Sequence, residues 1–174
     1  MPDPMTFIRT LSPLDTMLAG IARAVRENEA ERPRRVGDAI AAFAARDDLL
    51  AGRDCPCCPE HYVRHLLHDN PAGAYAVVAL VWRPGQMSPV HAHKTWCALA
   101  VHQGVLSETT YEPGEPPLPT ATRLLGPGDA SHGMADPRLI HRIANLSCRT
   151  AISIHCYGTG FEQFAQGVNH IHAA

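Results

Sequence analysis

Two histidines separated by a single residue constrain this chain more than any other feature. His91 and His93 lie in a segment that opens after Pro84-Gly85 and closes at Gln103-Gly104. Turn residues at both ends are typical of a strand in a sheet of short hairpins. Because alternate side chains of a strand point to the same face, the two imidazoles are predicted to share one face and to bind one metal ion.

The content of turn residues predicts the class of fold around that strand. The chain has 15 prolines and 13 glycines in 174 residues, which favours many short elements and an all-β core in a single domain. A formal net charge of −2 argues against a nucleic-acid or membrane partner. The longest apolar run, Ala74 to Trp82, is too short to cross a bilayer, and the N-terminus lacks a signal-peptide pattern. A cytoplasmic location is therefore expected.

The first 50 residues are predicted to be helical. Ser12-Pro13 suits the N-cap and first turn of one helix, and Pro33 can open a second that ends by Gly52. Neither helix carries a reactive cluster, so both are predicted to pack on the outside of a sheet. Each has an apolar face at helical spacing: Leu14, Met17, Leu18, Ile21 and Val25 in the first, and Val36, Ile40 and Phe43 in the second.

The segment 55–68 has two interpretations. Its cysteines and histidines provide zinc-binding atoms, with the histidines at helical spacing; they are Cys55, Cys57, Cys58, His61, His65 and His68. Adjacent cysteines do not close a tetrahedral site comfortably, and no matching CxxC or HxxxH motif follows. The alternative is a loop leading into a short helix with partly solvated histidines. Cysteines crowded in this way do not indicate a disulfide framework.

Arg64 lies in the same segment, between Val63 and Leu66-Leu67, at the predicted edge of the core. An arginine held there could bind a carboxylate through two parallel hydrogen bonds. An ordinary surface ion pair is the alternative.

From residue 74 onward the chain alternates apolar strands with glycine and proline turns. Six or more short antiparallel strands in two facing sheets would form a small barrel or sandwich that can hold one metal and one small ligand. The predicted strands are 74–82, 96–102, 105–111, 120–125, 139–145 and 150–157.

The metal needs a third ligand, and two histidines compete for that role. His141 opens a strand pattern far along the chain, where a neighbouring strand could bring it to His91 and His93. His132 follows the turn-like stretch 126–129, which would leave it on a loop. His141 is therefore preferred.

These residues resemble the cupin superfamily. The first cupin motif is matched by Gly85, His91, His93 and Gly104, but Cys97 stands where that motif has a glutamate. The second motif, His-x-x-x-Asn, is matched by His141 and Asn145. The resemblance implies a cupin barrel whose metal is held by three neutral histidines, with open positions for substrate and oxygen.

In lacking that glutamate, this sequence resembles the thiol dioxygenases of the cysteine dioxygenase family. Their Tyr-x-Arg, His-Arg-Val-x-Asn and Ser-x-His-x-Tyr motifs are matched in order by residues 62–64, 141–145 and 153–157, and several motifs in order are more specific than one. The resemblance implies Fe(II) held by His91, His93 and His141. It also implies that Arg64, beside Tyr62, binds the substrate carboxylate.

The same resemblance implies roles for the last strand and for Cys97. Tyr157 would hydrogen-bond the bound substrate or oxygen, His155 would hold its hydroxyl, and Ser153 would orient His155, all on one strand face. Cys97 could form a thioether with Tyr157, as the matching cysteine can in animal members of the family. Alternatively, Cys97 stays unmodified, because the segment from His93 to Cys97 is one residue shorter than in those animal enzymes.

The expected function is oxidation of a small thiol carboxylate by O2 to the sulfinic acid. Arginine at position 64 favours L-cysteine, whereas 3-mercaptopropionate enzymes usually have glutamine there. A cupin isomerase or ring-cleaving enzyme and a non-catalytic ligand sensor are the alternatives. The expected organisation is a single cupin domain with a helical segment at 1–70, a barrel at 71–165 and a tail at 166–174, and the oligomeric state stays open.

Overall fold

The computed structural model describes residues 11–173, and two helices come first in this range: α1 (Pro13–Ala24) and α2 (Arg32–Ala44). The start of α1 is the predicted one. The Ser12 hydroxyl accepts from the Asp15 amide at 3.1 Å and the Asp15 carboxylate accepts from the Ser12 amide at 3.2 Å, which is a reciprocal capping box. The first ten residues of the predicted helical region lie outside the described range.

Ten strands follow, arranged in two antiparallel sheets of five. The first sheet has the order β1-β2-β9-β4-β7 and the second has the order β10-β3-β8-β5-β6. A short 3-10 helix, Phe161–Gln166, separates the last two strands. The strands are β1 (Val63–Asp69), β2 (Ala76–Trp82), β3 (His91–His93), β4 (Cys97–Gln103), β5 (Leu106–Glu112), β6 (Leu118–Leu125), β7 (Ala130–Gly133), β8 (Ile140–Ala144), β9 (Ala151–Tyr157) and β10 (Asn169–Ile171).

The first sheet is covered on both faces, which explains why β2 is apolar along its whole length. Val77 and Ala79 pack towards the helices, whereas Val78 and Leu80 point into the space between the sheets. Every residue of β2 is buried, as expected of a central strand with two covered faces. The predicted fold class is confirmed: a mainly β cupin barrel with the N-terminal helices packed on its outside.

Three sequence predictions about the elements are wrong. Residues 63–69 form β1 rather than a helix, because they pair with β2 from Val63↔Val81 to Asp69↔Ala76. A bulge between Leu66 and His68 interrupts the two-residue period and disguises the strand. The barrel therefore begins before residue 71, and the segment 1–70 is not helical throughout.

The other two corrections concern His132 and the C-terminal segment. His132 lies on β7 rather than on a loop, opposite Ala98 of β4. The segment 166–174 is not a simple tail, because Asn169–Ile171 forms β10 and pairs with the histidine strand β3. Strands of three or four residues carry too little sequence pattern to be predicted without their partners. No helix within residues 11–173 is long and apolar enough to cross a membrane.

Candidate metal centre

Strand pairing brings the three predicted histidines together between the sheets. His91 and His93 lie on the inner face of β3, and β8 places His141 directly opposite His91. The ring centroids are 4.6 Å apart for His91 and His141, 4.8 Å for His91 and His93, and 5.1 Å for His93 and His141. Their ligand atoms form a group that could hold one metal ion, and this group contains no carboxylate from the described residues.

Each imidazole has its Nδ1 atom committed to an oxygen outside the group. The acceptors are the Pro89 carbonyl for His91 at 2.9 Å, Asn169 Oδ1 for His93 at 3.0 Å and Glu108 Oε1 for His141 at 2.8 Å. A neutral imidazole has one N–H, so donation from Nδ1 leaves Nε2 as a lone pair. All three rings are thus oriented as metal ligands.

The distance between two of these lone pairs tests whether a metal fits. His93 Nε2 and His141 Nε2 are 3.0 Å apart, close enough for the two nitrogens to share one proton or to bind one cation. Two nitrogens bound to one ion at about 2.1 Å would be about 3.0 Å apart if they subtended a right angle. Burial, together with the neighbouring His141, lowers the pKa of His91 to about 4, so this ligand is neutral near pH 7. The donor set fits a divalent ion with open positions.

Glu108, on β5, is a functional residue that sequence reasoning missed. Its carboxylate is buried and accepts from His141 Nδ1, from Arg123 at 2.6 and 2.8 Å, and from Ser131 at 2.8 Å. Burial alone would raise the pKa of Glu108, but these hydrogen bonds outweigh it and lower the pKa to about 2. The carboxylate is therefore ionised and fixes both the tautomer and the orientation of His141.

Replacing Glu108 with glutamine should weaken metal binding without removing a ligand. The amide carries no charge and cannot accept all of the hydrogen bonds that the carboxylate accepts. We expect metal affinity to fall about 10- to 100-fold, the usual cost of losing such a supporting group, as measured by competition with a chelator. Glu112 is exposed on the same strand, and Glu112→Gln should leave the affinity unchanged. Equal affinities in the two variants would contradict this role.

A chain of hydrogen bonds runs along the inner face of β9 to Tyr157. Trp82 Nε1 donates to Ser153 Oγ at 2.9 Å, which leaves the serine proton for His155 Nε2 at 2.8 Å. Burial lowers the pKa of His155 to about 3, so the ring is neutral and its remaining proton lies on Nδ1, 3.4 Å from the Tyr157 hydroxyl. The Tyr157 O–H is then left for an acceptor other than His155, and the Cys97 sulfur is one such partner. Sequence analysis identified three members of this hydrogen-bond series, Ser153, His155 and Tyr157, but it missed Trp82.

Arg64 and Tyr62 line a different cavity at the metal centre from the one that Glu108 lines. The Tyr62 ring stacks on Trp82 with centroids 4.3 Å apart, and its hydroxyl accepts from Arg64 at 3.3 Å. Arg64 Nε is buried and has no hydrogen-bond partner among the described residues. A buried guanidinium N–H without a partner is costly, and an incoming carboxylate oxygen would satisfy it.

Cys97 is brought beside Tyr157 by the register of β4 and β9, in which the two residues are directly opposite. Directly opposite side chains of an antiparallel pair have Cβ atoms about 4.5–5.5 Å apart. Burial raises the pKa of the Cys97 thiol, so the sulfur is protonated near pH 7. Cys97 does not join the group of metal-binding atoms.

Two cavities reach the histidines from different sides. A narrow one of about 20 Å³ is lined by Arg64, His155 and Tyr157 together with the metal ligands. A wider cleft of about 290 Å³ is lined by Glu108, Arg123, His132 and Arg138 and reaches His93 and His141. The rival ligand His132 therefore lies on the wall of this cleft and not in the histidine group.

The comparisons with known proteins agree with this geometry. The family model described as cysteine dioxygenase type I matches residues 55–166, more than half of the chain. The chain belongs to the cysteine dioxygenase type I family. It is thus a member of a thiol dioxygenase family with a three-histidine site formed by His91, His93 and His141.

One solved structure shows the same fold at low sequence identity, and a second is similar over a comparable share of the chain. The TT1209 protein from Thermus thermophilus has a TM-score of 0.50 and 19% identity, over 60% of this chain and 90% of that protein. A conserved protein with a double-stranded β-helix domain from Klebsiella pneumoniae has a TM-score of 0.49 and 17% identity, over 68% of this chain and 90% of that protein. These similarities concern the fold alone.

Proposed function

We propose that this protein is an iron(II) enzyme that oxidises a small thiol carboxylate, with L-cysteine as the preferred substrate. One O2 would be consumed per thiol, and both oxygen atoms would enter the sulfinic acid. The observation that carries the proposal is the unpartnered Arg64 Nε in a cavity shared with three oriented imidazoles. A carboxylate acceptor at Arg64 and a metal at the histidines are the two contacts that such a substrate requires.

Three imidazole ligands suit Fe(II). They leave positions for a thiolate and for oxygen, and bound iron would supply the redox step.

The residues around the metal would orient the substrate and control a proton. Arg64 would bind the carboxylate through its guanidinium, which sets the end of the molecule that points at the histidines. The Tyr157 hydroxyl, whose oxygen is held by His155, would donate its proton to a hydrogen-bond acceptor in the site. Trp82 and Ser153 would maintain this direction of donation towards the site. Trp82 donates to Ser153, and Ser153 in turn would donate to His155.

The narrowness of the cavity beside Arg64 favours the smallest thiol acids. Its volume of about 20 Å³ corresponds to about one water molecule, so little more than the carboxylate group of a substrate would fit beside Arg64. Large thiols would clash with the aromatic wall that Tyr62, Trp82 and Tyr157 form.

Oxygen uptake with iron-loaded protein tests the proposal. With L-cysteine we expect one O2 consumed per sulfinate formed, and faster turnover than with 3-mercaptopropionate or 2-aminoethanethiol. Faster oxidation of 3-mercaptopropionate would retain the reaction but replace the substrate. No oxygen uptake with any small thiol would contradict catalysis and favour a ligand sensor.

The contact between Cys97 and Tyr157 leads to a separate prediction. A thioether between them requires loss of one hydrogen from the sulfur and one from the ring, with O2 as the oxidant at the iron centre. We expect tryptic digestion after aerobic turnover to yield the two peptides joined, lighter than their sum by two hydrogen atoms. Cys156, also buried on β9 but in the cluster that faces the helices, is the control and should stay unmodified. Two separate peptides would exclude the bond.

A further inference from the structure

A second group of metal-binding atoms lies outside the barrel, in the loop that precedes β1. Cys58, Glu60 and His61 each offer one ligand atom, and these atoms lie within 4.8 Å of one another. Cys58 Sγ donates to Glu60 Oε2 at 2.8 Å and lies 3.8 Å from His61 Nδ1. Glu60 and His61 are exposed, whereas Cys58 is partly buried. None of the three belongs to the histidine centre described above.

The sulfur–nitrogen distance within this group is close to that of a tetrahedral site, whereas Glu60 Oε2 would have to move away from the sulfur to which it is now hydrogen-bonded. With metal–sulfur and metal–nitrogen bonds of about 2.3 and 2.0–2.1 Å, tetrahedral sulfur and nitrogen ligands are about 3.6 Å apart. The separation between Cys58 Sγ and His61 Nδ1 is therefore almost that of a bound state. The hydrogen bond from Cys58 to Glu60 would be replaced by two bonds to the metal once the thiol loses its proton to solvent.

We propose that Cys58, Glu60 and His61 bind a divalent ion of borderline softness, with Zn²⁺ as the natural occupant and water as the fourth ligand. A thiolate and an imidazole select Zn²⁺ or Co²⁺ over Mg²⁺ and Ca²⁺, which prefer oxygen ligands. The exposure of Glu60 and His61 leaves room for the water. This site differs from the six-residue set that the sequence offered.

The two remaining histidines of that larger set are held elsewhere. His65 Nε2 is hydrogen-bonded to the Pro56 carbonyl at 2.8 Å, and the His68 ring packs against Tyr75 with centroids 5.5 Å apart. They lie on β1, whose strand geometry separates them from His61. The ligands that remain close together are Cys58, Glu60 and His61.

The backbone of the proposed site is already fixed to the barrel. Gln86 Nε2 donates to the Cys58 carbonyl at 2.9 Å and to the Pro59 carbonyl at 3.4 Å. Part of the entropy cost of ordering the loop is therefore met before a metal binds. The residue after His61 is Tyr62, which stacks on Trp82, so a bound ion would also restrain the start of the substrate cavity.

Cobalt absorption on the iron-loaded full-length protein tests the proposal, because a sulfur-to-cobalt charge-transfer band requires a thiolate ligand. We expect titration with Co²⁺ under reducing, anaerobic conditions to produce this band and to saturate it at one equivalent. Cys58→Ser and His61→Ala should abolish the band, whereas Cys57→Ser, at the exposed neighbouring position, should retain it. Absence of the band in the unmodified protein, or its persistence in Cys58→Ser, would overturn the proposal.

Protection from alkylation provides a second measurement that needs no variant. We expect Zn²⁺ to slow the alkylation of Cys58 by about tenfold or more, because a metal-bound thiolate is no longer a free nucleophile. Cys148 is exposed on the loop between β8 and β9 and should react at an unchanged rate in the same sample. Equal rates for Cys58 with and without Zn²⁺ would contradict the site. Neither measurement uses thiol oxidation, so each outcome is independent of the proposed function.

Discussion

His141→Ala is expected to abolish iron retention and, with it, thiol oxidation. The change removes one of three ligands and leaves the Glu108 carboxylate, which is buried, without the N–H that it accepts. Loss of a supporting residue alone costs about 10- to 100-fold in metal affinity, so loss of a ligand should exceed about 100-fold. Iron content after gel filtration, measured by absorption spectrometry, is the direct readout.

His132→Ala is the matched control for this variant. His132 is exposed on β7 and was the rival candidate for the third ligand, but it lies on the wall of the wide cleft. We expect this variant to retain a full equivalent of iron. Far-UV circular dichroism should be the same in both variants, because neither side chain fills the hydrophobic core. Full iron content in His141→Ala, or loss of iron in His132→Ala, would contradict the assignment of the ligands.

Arg64→Ala is expected to weaken binding of the thiol acid while leaving iron content unchanged. A buried carboxylate–guanidinium contact removed on one side costs roughly 2–4 kcal/mol, which corresponds to an increase of about 30- to 700-fold in the Michaelis constant for L-cysteine. Steady-state kinetics with an oxygen electrode would measure it. Arg64→Lys should raise the Michaelis constant less than Arg64→Ala does, because lysine keeps the positive charge but cannot form two parallel hydrogen bonds to the carboxylate.

A substrate without a carboxylate separates this contact from general damage to the site. If Arg64 binds the carboxylate, 2-aminoethanethiol should be oxidised equally by the unmodified protein and by Arg64→Ala. Arg83→Ala, at an exposed position just after β2, should behave as the unmodified protein with both thiols. An unchanged Michaelis constant for L-cysteine in Arg64→Ala would refute the carboxylate contact, whereas equal losses with both thiols would indicate a structural role.

The sequence predicted the parts of the fold whose periodicity is local. Each of the six predicted strands is present with bounds that differ by at most two residues, because alternating or continuous apolar runs between turns are a strong signal. The histidine pair of β3 was predictable for the same reason. β1 was not, because its bulge between Leu66 and His68 makes the apolar spacing look helical.

The parts of the site that sequence analysis missed depend on contacts between distant strands. Glu108 is 33 residues from His141, and Trp82 is 71 residues from Ser153. Nothing in the local pattern around either residue indicates its partner. One signal was available for Glu108: it lies two residues after Leu106 in the predicted strand 105–111, so both side chains share a face, and a carboxylate on an apolar face needs hydrogen bonds. Sequence analysis considered only position 97, where the cupin motif has its glutamate, and did not look for a carboxylate elsewhere near the histidines.

The positions of the two tryptophans give the protein an intrinsic optical probe. The Trp82 indole donates to Ser153 at the start of the chain of hydrogen bonds that ends at Tyr157. The Trp96 ring lies so close to Gly158 that a Cβ at that position would overlap the indole. The chain contains no other tryptophan, so its tryptophan fluorescence arises entirely from indoles that flank β9. Quenching of that emission would follow iron loading in real time, without labels and without turnover.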